Sequence, residues 1–197
     1  MHEHLPTTIM KPTIDASRRS LLVATLSLPP AVALVTVSGC QSRSTNDRQL
    51  SFLTLASAEE ELSRLEAAKQ LSSSATWTWA QTLEHCAQSI EYSMAGFPES
   101  KSRLFQSTVG TAALSVFSWR GRMTHDLAEP IPGAPPLAVG TDAQAALIRL
   151  RASMANFRSW SKPLQPHFAY GALDKKGYER AHAMHLANHL SQFRAIG

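Results

Sequence analysis

The segment Tyr178-Glu-Arg-Ala-His-Ala-Met-His-Leu-Ala-Asn-His-Leu-Ser-Gln-Phe193 sets three histidines, His182, His185 and His189, within eight residues of a helical pattern. On a helix each residue turns about 100° and rises about 1.5 Å. His185 and His189, four apart, project from one face, one turn apart. That spacing lets two ring nitrogens reach one ion at roughly 2.0–2.1 Å. His182 and His185, three apart, can also meet. His182 and His189 are two turns apart, roughly 10 Å along the axis, so at most two of the three serve one ion. Gln192 follows His189 by three residues on much the same face and is placed to orient a ligand or a bound water. The same spacing also suits solvated imidazoles on a polar face, because two ligands alone make a weak site. A third ligand must come from elsewhere, and the remaining histidines beyond the N-terminal region are His85, His125 and His167.

Outward from this segment, the chain reads as helices separated by turn signals. Asp174 is the N-cap of the last helix, which runs to about Arg194. Upstream, Thr141-Asp-Ala-Gln144 opens a helix that ends before Pro163. Glu129-Pro-Ile-Pro-Gly-Ala-Pro-Pro136 holds four prolines in eight residues, a density that excludes helix interior. Another helix is expected from about Ser100 to Trp119. Thr78-Trp-Ala-Gln81 fits a capping box for a helix reaching about Ala95, and Ser57-Ala-Glu-Glu60 fits one for a helix ending near Ser72-Ser73-Ser74. No run of alternating β-branched residues is long enough to argue for a sheet. The expected class is all-α, a helix bundle.

The N-terminal region is of a different kind. Arg18 and Arg19 precede an apolar, uncharged run, Leu21 to Val37, that ends in Val37-Ser38-Gly39-Cys40. Basic, then apolar, then small residues is the order of an export signal. The arginine pair resembles a twin-arginine signal, and the final four residues resemble a bacterial lipobox in which Cys40 is lipidated. The competing reading is a membrane anchor, but the run falls short of the roughly 20 residues a span needs and Pro29-Pro30 interrupts it. The expected organisation is a signal over 1–39, a tether over 40–50 and one helical domain over 51–197. Gln41 after the cysteine, in place of Asp, leans towards the outer membrane of a Gram-negative host. Export to the periplasmic side and membrane attachment through lipid on Cys40 follow as expectations.

From Cys40 onward the chain has 16 Lys+Arg and 13 Asp+Glu, scattered rather than in runs. No basic stripe with interleaved aromatics occurs, so nucleic-acid binding has no support. With Cys40 lipidated, Cys86 has no partner, and a disulfide framework is excluded. Cys86 falls on an apolar stripe and reads as a buried, inert thiol. Trp77, Trp79, Trp119 and Trp160 read as core or helix-end packing.

The stretches "TWAQTLEHCAQSIEYSMAGFP" (78–98), "PIPGAPPL" (130–137) and "PHFAYGALDKKGYERAHAMHLANHLSQF" (166–193) closely resemble domain-of-unknown-function family 1569. That family belongs to the DinB-like (YfiT-like) superfamily of four-helix-bundle metalloenzymes. The resemblance covers roughly Phe52 to Phe193. It implies one histidine from the second bundle helix and the His-x3-His pair of the last, holding a divalent metal such as zinc or nickel. In this chain those positions are His85, His185 and His189, with Gln192 as the usual following glutamine and His182 near the site without ligating. Helical phase alone puts His85 opposite the apolar stripe of its helix, facing solvent, which makes His167 its rival.

Three histidines leave metal positions open to water, the arrangement of a catalytic site. Members of the wider superfamily include metal-dependent thiol transferases and isomerases, so the resemblance implies hydrolase or thiol-transferase-like chemistry on an unidentified small-molecule substrate. Glu84 and Glu91 are general-base candidates by nearness in sequence alone. The alternative is a metal-binding or structural lipoprotein without turnover. A homodimer is compatible with the sequence.

Overall fold

The computed structural model describes Met1 and residues 47–197. Arg18, Arg19 and Cys40 lie outside the described residues, as do the expected signal and most of the expected tether. In chain order the elements are α1 (Leu55–Glu66), β1 (Gln70–Ser73), α2 (Trp79–Ala95), α3 (Arg103–Phe105), a π-helical turn (Gln106–Gly110), α4 (Thr111–Arg120), α5 (Ala143–Ser159), α6 (Lys175–Leu190) and β2 (Phe193–Ile196). The fold is mostly helical, as expected.

Local sequence explains most of the boundaries. Thr78 and Gln81 form the reciprocal capping box at the start of α2. The carboxylates of Asp142 and Asp174 accept the N–H groups of Ala145 and Gly177 to cap α5 and α6. The first helix departs from expectation. Its N-cap is Thr54, and Ser57 is already inside, its N–H donated to the Thr54 hydroxyl. It also stops at Glu66, because the following residues are used elsewhere.

Those residues form the two short strands that alternation did not reveal. β1 pairs antiparallel with β2, Gln70 opposite Ile196 and Ser73 opposite Phe193. Strands of four residues are too short to show a period, and their pairing joins positions more than a hundred residues apart. This pairing also ends α6 at Leu190, earlier than the expected Arg194, which lies in β2.

Four helices share the core. Leu55, Ala58, Leu62 and Leu65 of α1 meet Leu83, Cys86, Ala87 and Ile90 of α2, Leu147, Leu150, Met154 and Phe157 of α5, and Tyr178, Ala183, Leu186 and Leu190 of α6. Arg149 of α5 binds Glu84 and Glu91 of α2, and Glu91 also accepts the Ser153 hydroxyl at 2.7 Å. Arg48 is docked as well: its guanidinium reaches Glu61 at 2.5 Å and the Leu190 carbonyl at 2.9 Å, and the Leu50 N–H donates to Ser191 Oγ at 2.8 Å. The chain is therefore bound to the domain from Arg48 onward. Burial raises the pKa of the Glu61 carboxyl, but hydrogen bonds from Arg64 and Arg48 outweigh it and hold the group below its ordinary value.

The helix expected from about Ser100 to Trp119 is found from Arg103 to Arg120. The structure widens it by a π turn, in which the Thr111 N–H reaches the Gln106 carbonyl. Of its residues only Gly110 is buried. Trp119, expected to pack, is instead 87% exposed. Its helix has no apolar stripe that faces the core, so the ring stays on the outer side.

Gly110 is where this stretch touches the domain. A Cβ there would lie 2.0 Å from the Ala169 carbonyl oxygen, in the loop that His167 and Gly171 close with paired backbone hydrogen bonds of 2.8 and 3.0 Å. Gly110→Ala forces two backbone segments apart. It should cost about 1–3 kcal/mol, the usual penalty of overpacking, seen as a lower chemical-denaturation midpoint. Unchanged stability would mean that the stretch does not seat on the 167–171 loop.

Candidate metal centre

The histidines of the last helix separate as soon as α6 is packed. The Nε2 atoms of His85 and His185 are 3.2 Å apart, and those of His189 and His185 are 3.1 Å apart. His85, His185 and His189 each place a ring nitrogen within 4.8 Å of the others, a group able to hold a metal ion. His182 turns away, its Nε2 3.2 Å from Ser93 Oγ and its ring between Phe157 and Tyr178. His167, the rival third ligand, stands apart from the cluster and stacks on Tyr170 with ring centroids 4.3 Å apart.

His85 does not face solvent. It is 3% exposed, although helical phase puts it opposite the apolar stripe. The reason is that α2 is covered on more than one side. Its apolar stripe joins the core shared with α1, α5 and α6, while His85 meets His185 of α6 and Trp77, whose ring lies 4.7 Å away. Helical phase identifies the first buried face but not a second one.

The three nitrogens fit a cation better than they fit protons. An imidazole nitrogen offers one N–H or one in-plane lone pair. His185 Nε2 has two nitrogens within hydrogen-bond distance, so one proton cannot bridge the set. An ion roughly 2.0–2.1 Å from each nitrogen would satisfy all three. Protonation is also opposed by burial. Desolvation, followed by the nearby His125, lowers the His85 pKa to about 3. Desolvation, then the neighbouring histidines, holds His185 and His189 well below the ordinary value. Neutral imidazole is the form that ligates.

One neighbour of the cluster was left without a role in the sequence. His125, from the loop after α4, places its ring 5.1 Å from that of His185 and 5.0 Å from that of His189. Its Nδ1 lies 2.7 Å from the Asp126 carbonyl oxygen. A carbonyl only accepts, so Nδ1 carries the proton and Nε2 keeps its lone pair. That Nε2 is buried without a partner, and burial lowers the group's pKa. Nothing in the periodicity of a proline-bounded loop signals this position. A histidine beside an acidic residue just past a helix end was the only clue.

Other expected contributors fall elsewhere. Gln192 lies beyond the end of α6, off the helical face assumed for it, and its side-chain oxygen accepts the Ser74 hydroxyl at 2.8 Å. Glu84 and Glu91 are engaged by Arg149 between α2 and α5, so neither serves as a free base. Cys86 is fully buried, and desolvation pushes its thiol pKa up, consistent with an inert thiol.

His85, His125 and His185 form part of the wall of a cavity of about 230 Å³. His167 and His182 line it further along, with Phe105, Met123, Ile131, Phe168 and Tyr170 as apolar surface. The fold and site thus define a helical protein with a three-histidine cluster beside a small-molecule-sized cavity. Residues 44–195 match the family described as "Protein of unknown function (DUF1569)", and the chain belongs to that family. No curated protein and no solved structure matches the chain. Among the described residues, no helix is long and apolar enough to cross a membrane.

His85→Ala, His185→Ala and His189→Ala should each weaken zinc or nickel binding by more than about 100-fold, beyond the usual loss for a group that only orients a ligand. His182→Ala should stay close to the unaltered chain. Isothermal titration of each metal-stripped variant decides this. Loss of metal in His182→Ala with retention in His85→Ala would refute this ligand set.

Acid should destabilise the metal-free fold. His85, His167 and His182 resist protonation down to about 3, whereas unfolded imidazoles take protons near pH 6.5. Between those values the unfolded state binds more protons. Stability should therefore be full above about pH 7 and fall as the pH drops towards 3, by roughly 1.4 kcal/mol per pH unit for each histidine. Urea melts of the metal-stripped chain at pH 7.5 and pH 5 measure this, and equal midpoints would contradict it.

Proposed function

We propose that this chain is an exported, lipid-anchored, metal-dependent enzyme of the DinB-like type, acting on a small molecule. A divalent zinc or nickel ion would be held by His85, His185 and His189. The observation that carries this reading is the position of His85 and His185 on the wall of an apolar cavity. A ligand set that borders such a space is the arrangement of catalytic rather than structural sites. When bound, the ion would supply Lewis acidity, for a water or for a substrate thiolate. The chain's own part is to hold three neutral nitrogens in a desolvated pocket and to exclude bulk water from the reacting end of the cavity. Hydrolase or thiol-transferase-like chemistry is consistent with that donor set.

The partnerless Nε2 of His125 favours a second reading, a closed four-nitrogen site in a lipoprotein that binds metal without turnover. The two readings part on coordination. In the cobalt-substituted protein, an open site should change its visible spectrum on addition of azide. A closed site should give an intense tetrahedral spectrum that azide leaves unaltered, and it should lose that intensity in His125→Ala. The second pattern would overturn the enzymatic reading.

Export and anchoring rest on Arg18-Arg19, the apolar run and Cys40. Replacing both arginines by lysine should leave unprocessed precursor in the cytoplasm. Cys40→Ala should abolish lipid labelling, because the thiol that would carry the lipid is gone, and with it the stable attachment that takes more than one weak acyl chain. Fractionation and labelling with a palmitate analogue measure both. Normal processing of the double-lysine variant would point to the general secretory route, and undiminished membrane attachment of Cys40→Ala would point to an uncleaved span.

A further inference from the structure

The cavity has a second polar feature that the histidine cluster does not use. His167 Nδ1 lies 3.1 Å from the Ala169 N–H and 3.2 Å from the Tyr170 N–H. Both are donors, so Nδ1 is the acceptor, and the ring's single proton sits on Nε2. The tautomer is thus fixed by the backbone. The ring is clamped as well, stacked on Tyr170 at 4.3 Å with a 10° interplanar angle and packed 5.0 Å from Phe97. Burial keeps it neutral, with a pKa lowered to about 3. Among the described residues the Nε2–H has no acceptor, and the ring lines the cavity. Open to the cavity, that donor is free to meet a ligand acceptor.

We propose that His167 is a substrate-positioning residue whose Nε2–H donates to a carbonyl-type oxygen of the cavity's ligand. The ligand is a small molecule with one such acceptor and an apolar body that fits against Phe105, Met123, Ile131 and Phe168, while Lys101 and Glu129 line the cavity as well. This deepens the enzymatic reading above and rests on it for the word substrate. The donor itself does not depend on the metal, since His167 stands apart from His85, His185 and His189.

Acetophenone and toluene serve as probes, alike in apolar body and different in the carbonyl. The informative variant is His167→Asn. An Asn side-chain oxygen accepts local backbone N–H groups, so the turn keeps its acceptor, and the shorter side chain leaves no donor at the Nε2 position. Titrations by NMR are run on the full chain, metal-stripped and zinc-loaded. The unaltered chain should bind both probes in both states. His167→Asn should weaken acetophenone by about five- to tenfold, the scale of one neutral hydrogen bond, and leave toluene within about twofold. His167→Ala should weaken acetophenone at least as much. Equal loss of both probes would reduce His167 to a wall-shaping residue, and unchanged acetophenone affinity, or no binding by the unaltered chain, would overturn the proposal. Absence of zinc binding with the acetophenone difference retained would instead sink the metalloenzyme reading and leave the donor assignment standing.

Discussion

Three uncharged imidazole nitrogens meet at one point between α2 and α6, and much else in the domain is arranged to allow it. Each ring must be desolvated, so α2 needs cover on the flank opposite its apolar stripe. Each must stay neutral, and burial, not the absence of acids, keeps them so. Glu84 and Glu91, the nearest acids in sequence to His85, are turned to Arg149 across α5. An uncompensated acid near the cluster would favour protonation and work against ligation.

The surroundings divide into two layers. The inner one is apolar and close-packed: Leu83, Ile90, Phe157 and Leu186 fix the helix spacing on which the nitrogen separations depend. The outer one is made of irregular chain. The loop after α4 brings His125, and the 167–171 turn brings the His167 donor and seats against Gly110. These pieces have little periodicity, yet they supply much of the cavity wall. Regular elements place the cluster, and loops decide what can approach it.

The β1–β2 pair has a structural part in this. It fastens the end of the last helix to the end of the first, and with Arg48 holding the Leu190 carbonyl it closes the base of the core. Gln192, in the turn between α6 and β2, is therefore committed to Ser74 and not to the ligands. A residue three positions after a helical histidine shares its face only while the helix lasts.

The sequence by itself determined the helical class, the capping residues Thr78 and Asp174, the burial of Cys86 and the facing of His185 and His189, because each depends on neighbours within a turn of helix. Family resemblance added His85, against its helical phase. Only the tertiary structure decided that α2 is covered on two sides, that His125 joins the cluster, that His182 and His167 stand apart from it, that four-residue segments at opposite ends pair, and that Trp119 lies outside. These outcomes depend on contacts between residues far apart in the chain, and no local period carries information about which second face a helix will bury or where a loop will come to rest.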